Sequence, residues 1–105
     1  MTVPYLETEP SRAAVDATQG PVLVEFGAPW CGICAAAQPA IGEALSQYPQ
    51  VQHIKVADGS RRPLGRTFGI KLWPTLIALR DGKEFGRLVR PTSPQAIASL
   101  LATIA

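Results

Sequence analysis

Short apolar runs alternate along this chain with segments whose apolar positions recur at helical spacing. Pro21-Val22-Leu23-Val24-Glu25-Phe26 follows Gly20 as a nearly continuous apolar run, the pattern of a strand buried on both faces. Behind it, residues 31–48 place Ile41, Ala44, Leu45 and Tyr48 at helical spacing. Pro39 lies within that helix and should kink it, because its ring removes a backbone hydrogen bond. Residues 51–56 read as a second strand, and residues 61–68 as a short helix ended by Gly69. Residues 75–80 and 84–89 read as two strands around Asp81-Gly82, a strong hairpin signal. In the last helix Ser93 caps, Pro94 fits the first turn, and Ile97, Leu100, Leu101 and Ile104 make one apolar stripe. A weaker helix, 11–18, precedes the first strand. The predicted order is helix, strand, helix, strand, helix, hairpin, helix: an α/β layered domain whose sheet is part parallel and part antiparallel.

Composition adds the class. At 105 residues the chain reads as a single domain, 1–105, able to bury a core without staples. Hydrophobic residues are 47% and charged residues 17% of the chain, the balance of a folded globular protein and not of a disordered one. A formal net charge of +2 gives no bulk electrostatic case for a nucleic-acid partner. Met1-Thr2-Val3-Pro4-Tyr5-Leu6-Glu7 has no basic start followed by an apolar run, so no signal peptide is expected. No apolar stretch is long enough to cross a bilayer. The expectation is a cytoplasmic protein with no membrane partner.

Candidate chemistry is concentrated in Trp30-Cys31-Gly32-Ile33-Cys34, which holds both cysteines of the chain. Two thiols separated by two residues can close into a small disulfide ring when they open a helix. The helix N-terminus there can stabilise a thiolate and lower the pKa of the first cysteine toward neutrality. The arrangement suits thiol–disulfide exchange, with Cys31 attacking a substrate disulfide and Cys34 resolving the mixed disulfide. A structural zinc site would want four ligands. No second cysteine pair exists and the single histidine, His53, lies far along the chain, so zinc would need outside ligands. A purely structural disulfide is disfavoured because so small a loop restricts the unfolded chain little. Redox chemistry is the favoured reading. A binding or chaperone module with incidental cysteines is the alternative from another class.

With these residues in place, the chain resembles the thioredoxin family. Residues 22–34, VLVEFGAPWCGIC, resemble the family's second strand and active-site motif. Phe68-Gly69-Ile70-Lys71-Leu72-Trp73-Pro74-Thr75-Leu76 resembles the segment with the family's cis-proline, here Pro74. Pro39 matches the proline within the helix, and Asp81-Gly82 the hairpin turn. The resemblance spans roughly residues 11–104. It implies a thioredoxin fold: a central mixed sheet of four to five strands, flanked by helices on both faces.

It also implies roles. Cys31 would be the nucleophile and Cys34 the resolving thiol, the couple itself cycling through a Cys31–Cys34 disulfide with no bound metal or cofactor. Pro74 in cis would sit against the pair and present the backbone of Trp73 to a substrate peptide. Glu25 aligns with the family's buried acid and Lys55 with the lysine that tunes it. Desolvation should raise the Glu25 pKa and poise it to take the Cys34 proton; the alternative is that Glu25 simply pairs with Lys55 or reaches water. Substrates would cover Trp30, Gly32, Ile33, Leu72, Trp73 and Arg90. Partners implied are disulfide-containing client proteins and a flavin reductase or other dithiol donor, for a monomeric protein-disulfide reductant. A client-specific oxidant or isomerase is the alternative within the family.

Several residues depart from the family pattern. Ile33 replaces the proline of the usual Cys-Gly-Pro-Cys and restores a backbone N–H near the sulfurs. An extra donor there should lift the potential above a typical ~−270 mV. Ala35 replaces a lysine. Gly27 stands where an aromatic is usual, so the floor beneath the motif should be looser. Leu72 and Arg90 replace groove glycines, which should narrow the groove and add charge. Arg61, Arg62, Arg66, Lys71 and Arg90 suggest a basic rim, either a solvated surface or a contact for acidic partners. Asp58-Gly59 breaks the usual sequence after the strand at 51–56. His53 is expected to be structural, with no evident partner.

Overall fold

The structure, a computed structural model, describes residues 2–105. Its elements are α1 (Arg12–Asp16), β1 (Pro21–Gly27), α2 (Gly32–Ser46), β2 (Gln52–Ala57), α3 (Leu64–Thr67), β3 (Thr75–Arg80), β4 (Lys83–Val89) and α4 (Pro94–Ala102). The order matches the expectation throughout. The described residues form one four-stranded sheet in the order β2-β1-β3-β4, with β1 and β2 parallel and the other pairs antiparallel.

Strand alternation divides the core between two faces. Leu23 on β1 and Leu76 and Ala78 on β3 meet Ala37, Ile41 and Ala44 of α2 and Ile97, Leu100 and Leu101 of α4. Val22, Val24 and Phe26 on β1, with Ile77 and Leu79 on β3, meet Val15 of α1, Leu64 of α3 and Phe68. Helices therefore cover both faces, and β1 is buried on each. Glu25 shares the α2 face with Leu23 and has no solvent exposure.

Boundaries moved where local chemistry dictated. Cys31 is the cap of α2 and not its first residue, its sulfur accepting the Cys34 N–H. α4 has Ser93 Oγ accepting from the Ala96 N–H and Pro94 in the first turn, as its sequence implied. The helix expected over 61–68 shrinks to Leu64–Thr67. Arg61 is left-handed, at φ 64°, and Pro63 steers the residue before it away from helical backbone. Gly59 and Arg62 instead make an isolated antiparallel bridge.

The hairpin between β3 and β4 turns on Asp81 (φ 51°) and Gly82 (φ 78°), two positive values that fit a type I′ turn. Asp81 Oδ1 accepts the Gly20 N–H at 2.7 Å, tying the turn to the start of β1. A Cβ at Gly82 would run into the Asp16 carbonyl at the end of α1. Gly82→Ala is therefore expected to lower stability by ~2 kcal/mol or more, combining a strained φ with a backbone clash. A shift of the denaturation midpoint below that of Ala96→Gly, an exposed site in α4, would bear this out. An unchanged midpoint would refute it.

Candidate functional site

The sheet register assembles the site. β1 ends at Gly27, and the chain turns with Cys31 N–H on the Ala28 carbonyl at 3.1 Å before α2 begins. β3 runs antiparallel to β1, so its first residue, Thr75, pairs with Phe26. Pro74, just before it, therefore arrives at the cysteine end of β1. The Trp73–Pro74 peptide bond is cis, as the resemblance implied. Thr75 also pairs with Val89 of β4, which brings Arg90 alongside: its N–H donates to the Pro74 carbonyl at 2.8 Å. Three segments distant in sequence thus meet at one sheet edge.

At the start of α2 the two thiols are reduced. Cys31 is partly exposed, whereas Cys34 is 1% exposed. The Cys34 N–H donates to Cys31 Sγ at 3.2 Å, so the sulfur fills the place of an N-cap oxygen. The amide on that sulfur is the one three residues along, the ordinary capping position, and not the Ile33 amide expected to supply an extra donor. Burial, then the hydrogen bond with Cys31, pushes the Cys34 thiol up to about 11, while Ala28 and Tyr5 pull the other way as hydrogen-bond partners. A partly exposed thiol thus sits over a buried one that is held protonated.

Around the pair lie the expected surface residues. Trp30 is 78% exposed, and Ile33 and Leu72 stand out among the exposed apolar side chains. Trp30 and Trp73 meet edge to face, with ring centroids 5.4 Å apart. Gly32 is exposed. Arg90 is left-handed (φ 51°), and its Nε donates to the Trp73 carbonyl at 2.9 Å. A shallow groove of about 250 Å³ runs past Ile70, Lys71, Leu72, Thr75 and Val89. One member of the expected basic rim turns inward: Arg62 Nε lies 3.7 Å from Glu9 Oε2. Arg61, Arg66 and Lys71 are exposed.

Beneath the pair, the polar arrangement differs from the expectation for Glu25 and Lys55. The two residues are register partners on β1 and β2, but they form no ion pair. Glu25 Oε1 lies 2.9 Å from His53 Nε2, and Glu25 Oε2 accepts from Gln38 Nε2 at 2.9 Å. Gln38 Nε2 also donates to the Cys34 carbonyl at 2.7 Å. Lys55 Nζ donates instead to Gln38 Oε1 at 3.0 Å and to Thr2 Oγ1 at 3.1 Å. Lys55 is therefore linked to Glu25 by hydrogen bonds through Gln38. His53, whose side chain is 7% exposed, has a partner after all. Two-residue alternation could have found it, since His53 and Lys55 leave β2 on the same face as Glu25.

The loose floor expected at Gly27 is also corrected. A Cβ there would lie 2.8 Å from Cys34 Sγ and 2.8 Å from the Tyr5 hydroxyl oxygen, so the N-terminal segment fills the space that a side chain at 27 leaves. Tyr5 carried no periodic signal; the only clue was the missing bulk at Gly27. Asp58 was likewise missed as a support: its Oδ2 accepts from the Trp73 indole Nε1 at 2.9 Å, fixing the residue before the cis bond.

The thioredoxin family model matches residues 3–103. Thioredoxin 1 of Synechococcus elongatus is 35% identical over 82 residues, 77% of this chain and 77% of that protein. Thioredoxin of Chlamydia muridarum is 37% identical over 83 residues, 78% of this chain and 80% of that protein. Among solved structures, reduced thioredoxin 2 from Pseudomonas aeruginosa PAO1 superposes with a TM-score of 0.85 at 48% identity, covering 98% of this chain and 99% of that one.

Two measurements check this geometry. His53→Ala leaves one buried carboxylate oxygen without its partner and is expected to reduce stability by ~1–3 kcal/mol, read as a lower denaturation midpoint; an unchanged midpoint would contradict the contact. Because the Cys34 thiol is pushed up to about 11, it stays protonated through neutral pH and ionises only as pH climbs toward that value. Iodoacetamide at pH 7 should then label Cys31 alone by mass spectrometry, and equal labelling of Cys34 would count against its protection.

Proposed function

The chain belongs to the thioredoxin family and is a thiol–disulfide oxidoreductase, and from that premise we propose that it works as a protein-disulfide reductant. Family members act on disulfide-containing proteins and are recharged by a reductase. The observation that carries the proposal is the asymmetry of the pair: a partly exposed Cys31 sulfur capping a helix, over a buried Cys34 whose thiol is held protonated.

In the proposed cycle, Cys31 Sγ as thiolate attacks one sulfur of a client disulfide. The client S–S bond breaks, a Cys31–client S–S bond forms, and the departing client sulfur takes up a proton. The Cys34 N–H gives a charge-assisted bond whenever Cys31 Sγ carries the charge. Cys34 then loses its proton and attacks Cys31 Sγ, forming the Cys31–Cys34 disulfide and releasing the second client thiolate. Two electrons pass to the client, and a reductase or dithiol donor returns them. Glu25 is proposed to receive the Cys34 proton, with Gln38 linking its carboxylate to the Cys34 carbonyl. Lys55 acts on Glu25 through Gln38.

The backbone before cis-Pro74 is proposed to pair with the client, and Trp30, Gly32, Ile33, Leu72, Trp73 and Arg90 to form the surface that the client covers. Exposed apolar side chains ringing a reactive thiol mark a contact area. The couple needs no bound metal or cofactor for this cycle, and the chain is proposed to act as a monomer in the cytoplasm. No helix among the described residues is long and apolar enough to cross a membrane.

Insulin disulfide reduction driven by dithiothreitol should fall to background in Cys31→Ser, whereas Cys34→Ser should accumulate a client adduct on Cys31 that excess dithiothreitol releases. Turnover that survives in Cys31→Ser would overturn the assignment. The direction of flux has its own measurement, a redox titration followed by Trp30 and Trp73 fluorescence. A midpoint near or below ~−250 mV supports a reductant, and one at ~−200 mV or above would place the protein with oxidants and isomerases.

A further inference from the structure

We propose that Tyr5 is a positioning residue for the resolving step, its hydroxyl reaching through the gap at Gly27 to hold Cys34 Sγ when that sulfur becomes a thiolate. The inference rests on the reading of Cys31 as nucleophile and Cys34 as resolving thiol.

Three observations place the hydroxyl. The position a Cβ would take at Gly27 is 2.8 Å from both Cys34 Sγ and the Tyr5 hydroxyl oxygen, so both atoms line one small gap and no side chain separates them. The hydroxyl donates to the Ala28 carbonyl at 3.2 Å. The ring is held from behind, with Lys55 Nζ 4.5 Å from its centroid and the neighbouring Leu6 N–H on the Lys55 carbonyl at 2.9 Å.

A phenol has one proton to donate, and here it has two acceptors in reach. While Cys34 is a neutral thiol, the better acceptor is the Ala28 carbonyl. Once Cys34 ionises, the sulfur becomes the stronger partner, since charge-assisted hydrogen bonds are roughly twice as strong as neutral ones. The hydroxyl keeps its proton throughout: burial first, then the negative charge that Cys34 and Glu25 bring, holds Tyr5 far above the ordinary phenol range. The groups facing this gap are Cys31 at the start of α2, Glu25 on β1, and Lys55 on β2, with His53 behind Glu25. Of these, Lys55 points to the ring of Tyr5 and Glu25 is held by Gln38 and His53. Tyr5 is thus the side-chain hydroxyl set to follow the charge on Cys34.

The experiment is a single turnover with dithiobis(nitrobenzoic acid), which releases one coloured thiolate when Cys31 attacks and a second when Cys34 resolves the adduct. In Tyr5→Phe, with its fold checked by circular dichroism, the second release should slow by ~3-fold at pH 7 and its pH profile should move upward by about one unit. The rate falls less than the thiolate fraction because the more basic sulfur is also the stronger nucleophile. The first release should keep its rate. Gly27→Ala, whose methyl would lie 2.8 Å from both atoms and so force hydroxyl and sulfur apart, should shift the second release in the same direction. A second release with parental rate and pH profile in both variants would overturn the role. Equal slowing of both releases with no shift of profile would also overturn it, by showing a merely structural residue. Absence of the first release in the parent chain would instead remove the reading of Cys31 on which the proposal rests.

Discussion

A carboxylate with no access to solvent sets the terms for everything beneath the cysteine pair. Glu25 lies on the central strand, on the face packed by α2, where an unpartnered charge would cost several kcal/mol. Its oxygens are taken by Gln38 from α2 and His53 from β2. Gln38 in turn accepts from Lys55, and Lys55 donates to Thr2; Thr2 Oγ1 is also bonded to Gln38 Oε1. Satisfying one buried acid therefore binds together a helix, two strands and the N-terminal segment. The same linkage reaches the Cys34 carbonyl through Gln38, so the polar core and the redox pair share a residue.

Strand direction supplies the other half of the construction. Because β3 is antiparallel to β1, and β4 to β3, the end of β1, the start of β3 and the end of β4 coincide. A motif on each of these three termini becomes one surface without any long loop. Side chains outside the motifs then fix its details. Asp58 orients the indole of Trp73, and Arg90 occupies the Trp73 carbonyl. That second contact places a guanidinium on the carbonyl beside the cis bond, so the edge next to the cysteine pair carries a cation as well as backbone.

The sequence made some of this plain and left the rest hidden for physical reasons. β1, the hairpin and α4 were legible because continuous apolar runs, an Asp-Gly turn and a capped amphipathic stripe are local signals. The cysteine pair and Pro74 were legible as motifs. α3 was overextended because Arg61 adopts a backbone that its residue type does not advertise. The partners of Glu25 depend on which strands lie side by side, and the equal claim of Lys55 in register gave no hint that His53 and Gln38 would reach the oxygens first. Tyr5 was invisible for a different reason: it sits in a segment without regular structure, 22 positions from the glycine whose space it shares.

That placement of the N-terminal segment bears on how the protein can be handled. Thr2 and Tyr5 run directly under the redox pair, so a purification handle or fluorophore fused ahead of them would pull on the floor of the site. The other end offers a safer attachment point. Ile104 is anchored, fully buried and with its carbonyl bound by Arg80, while Ala105 beyond it is exposed. Immobilised through that residue, the chain would present its cysteine edge with the strap of residues beneath it undisturbed.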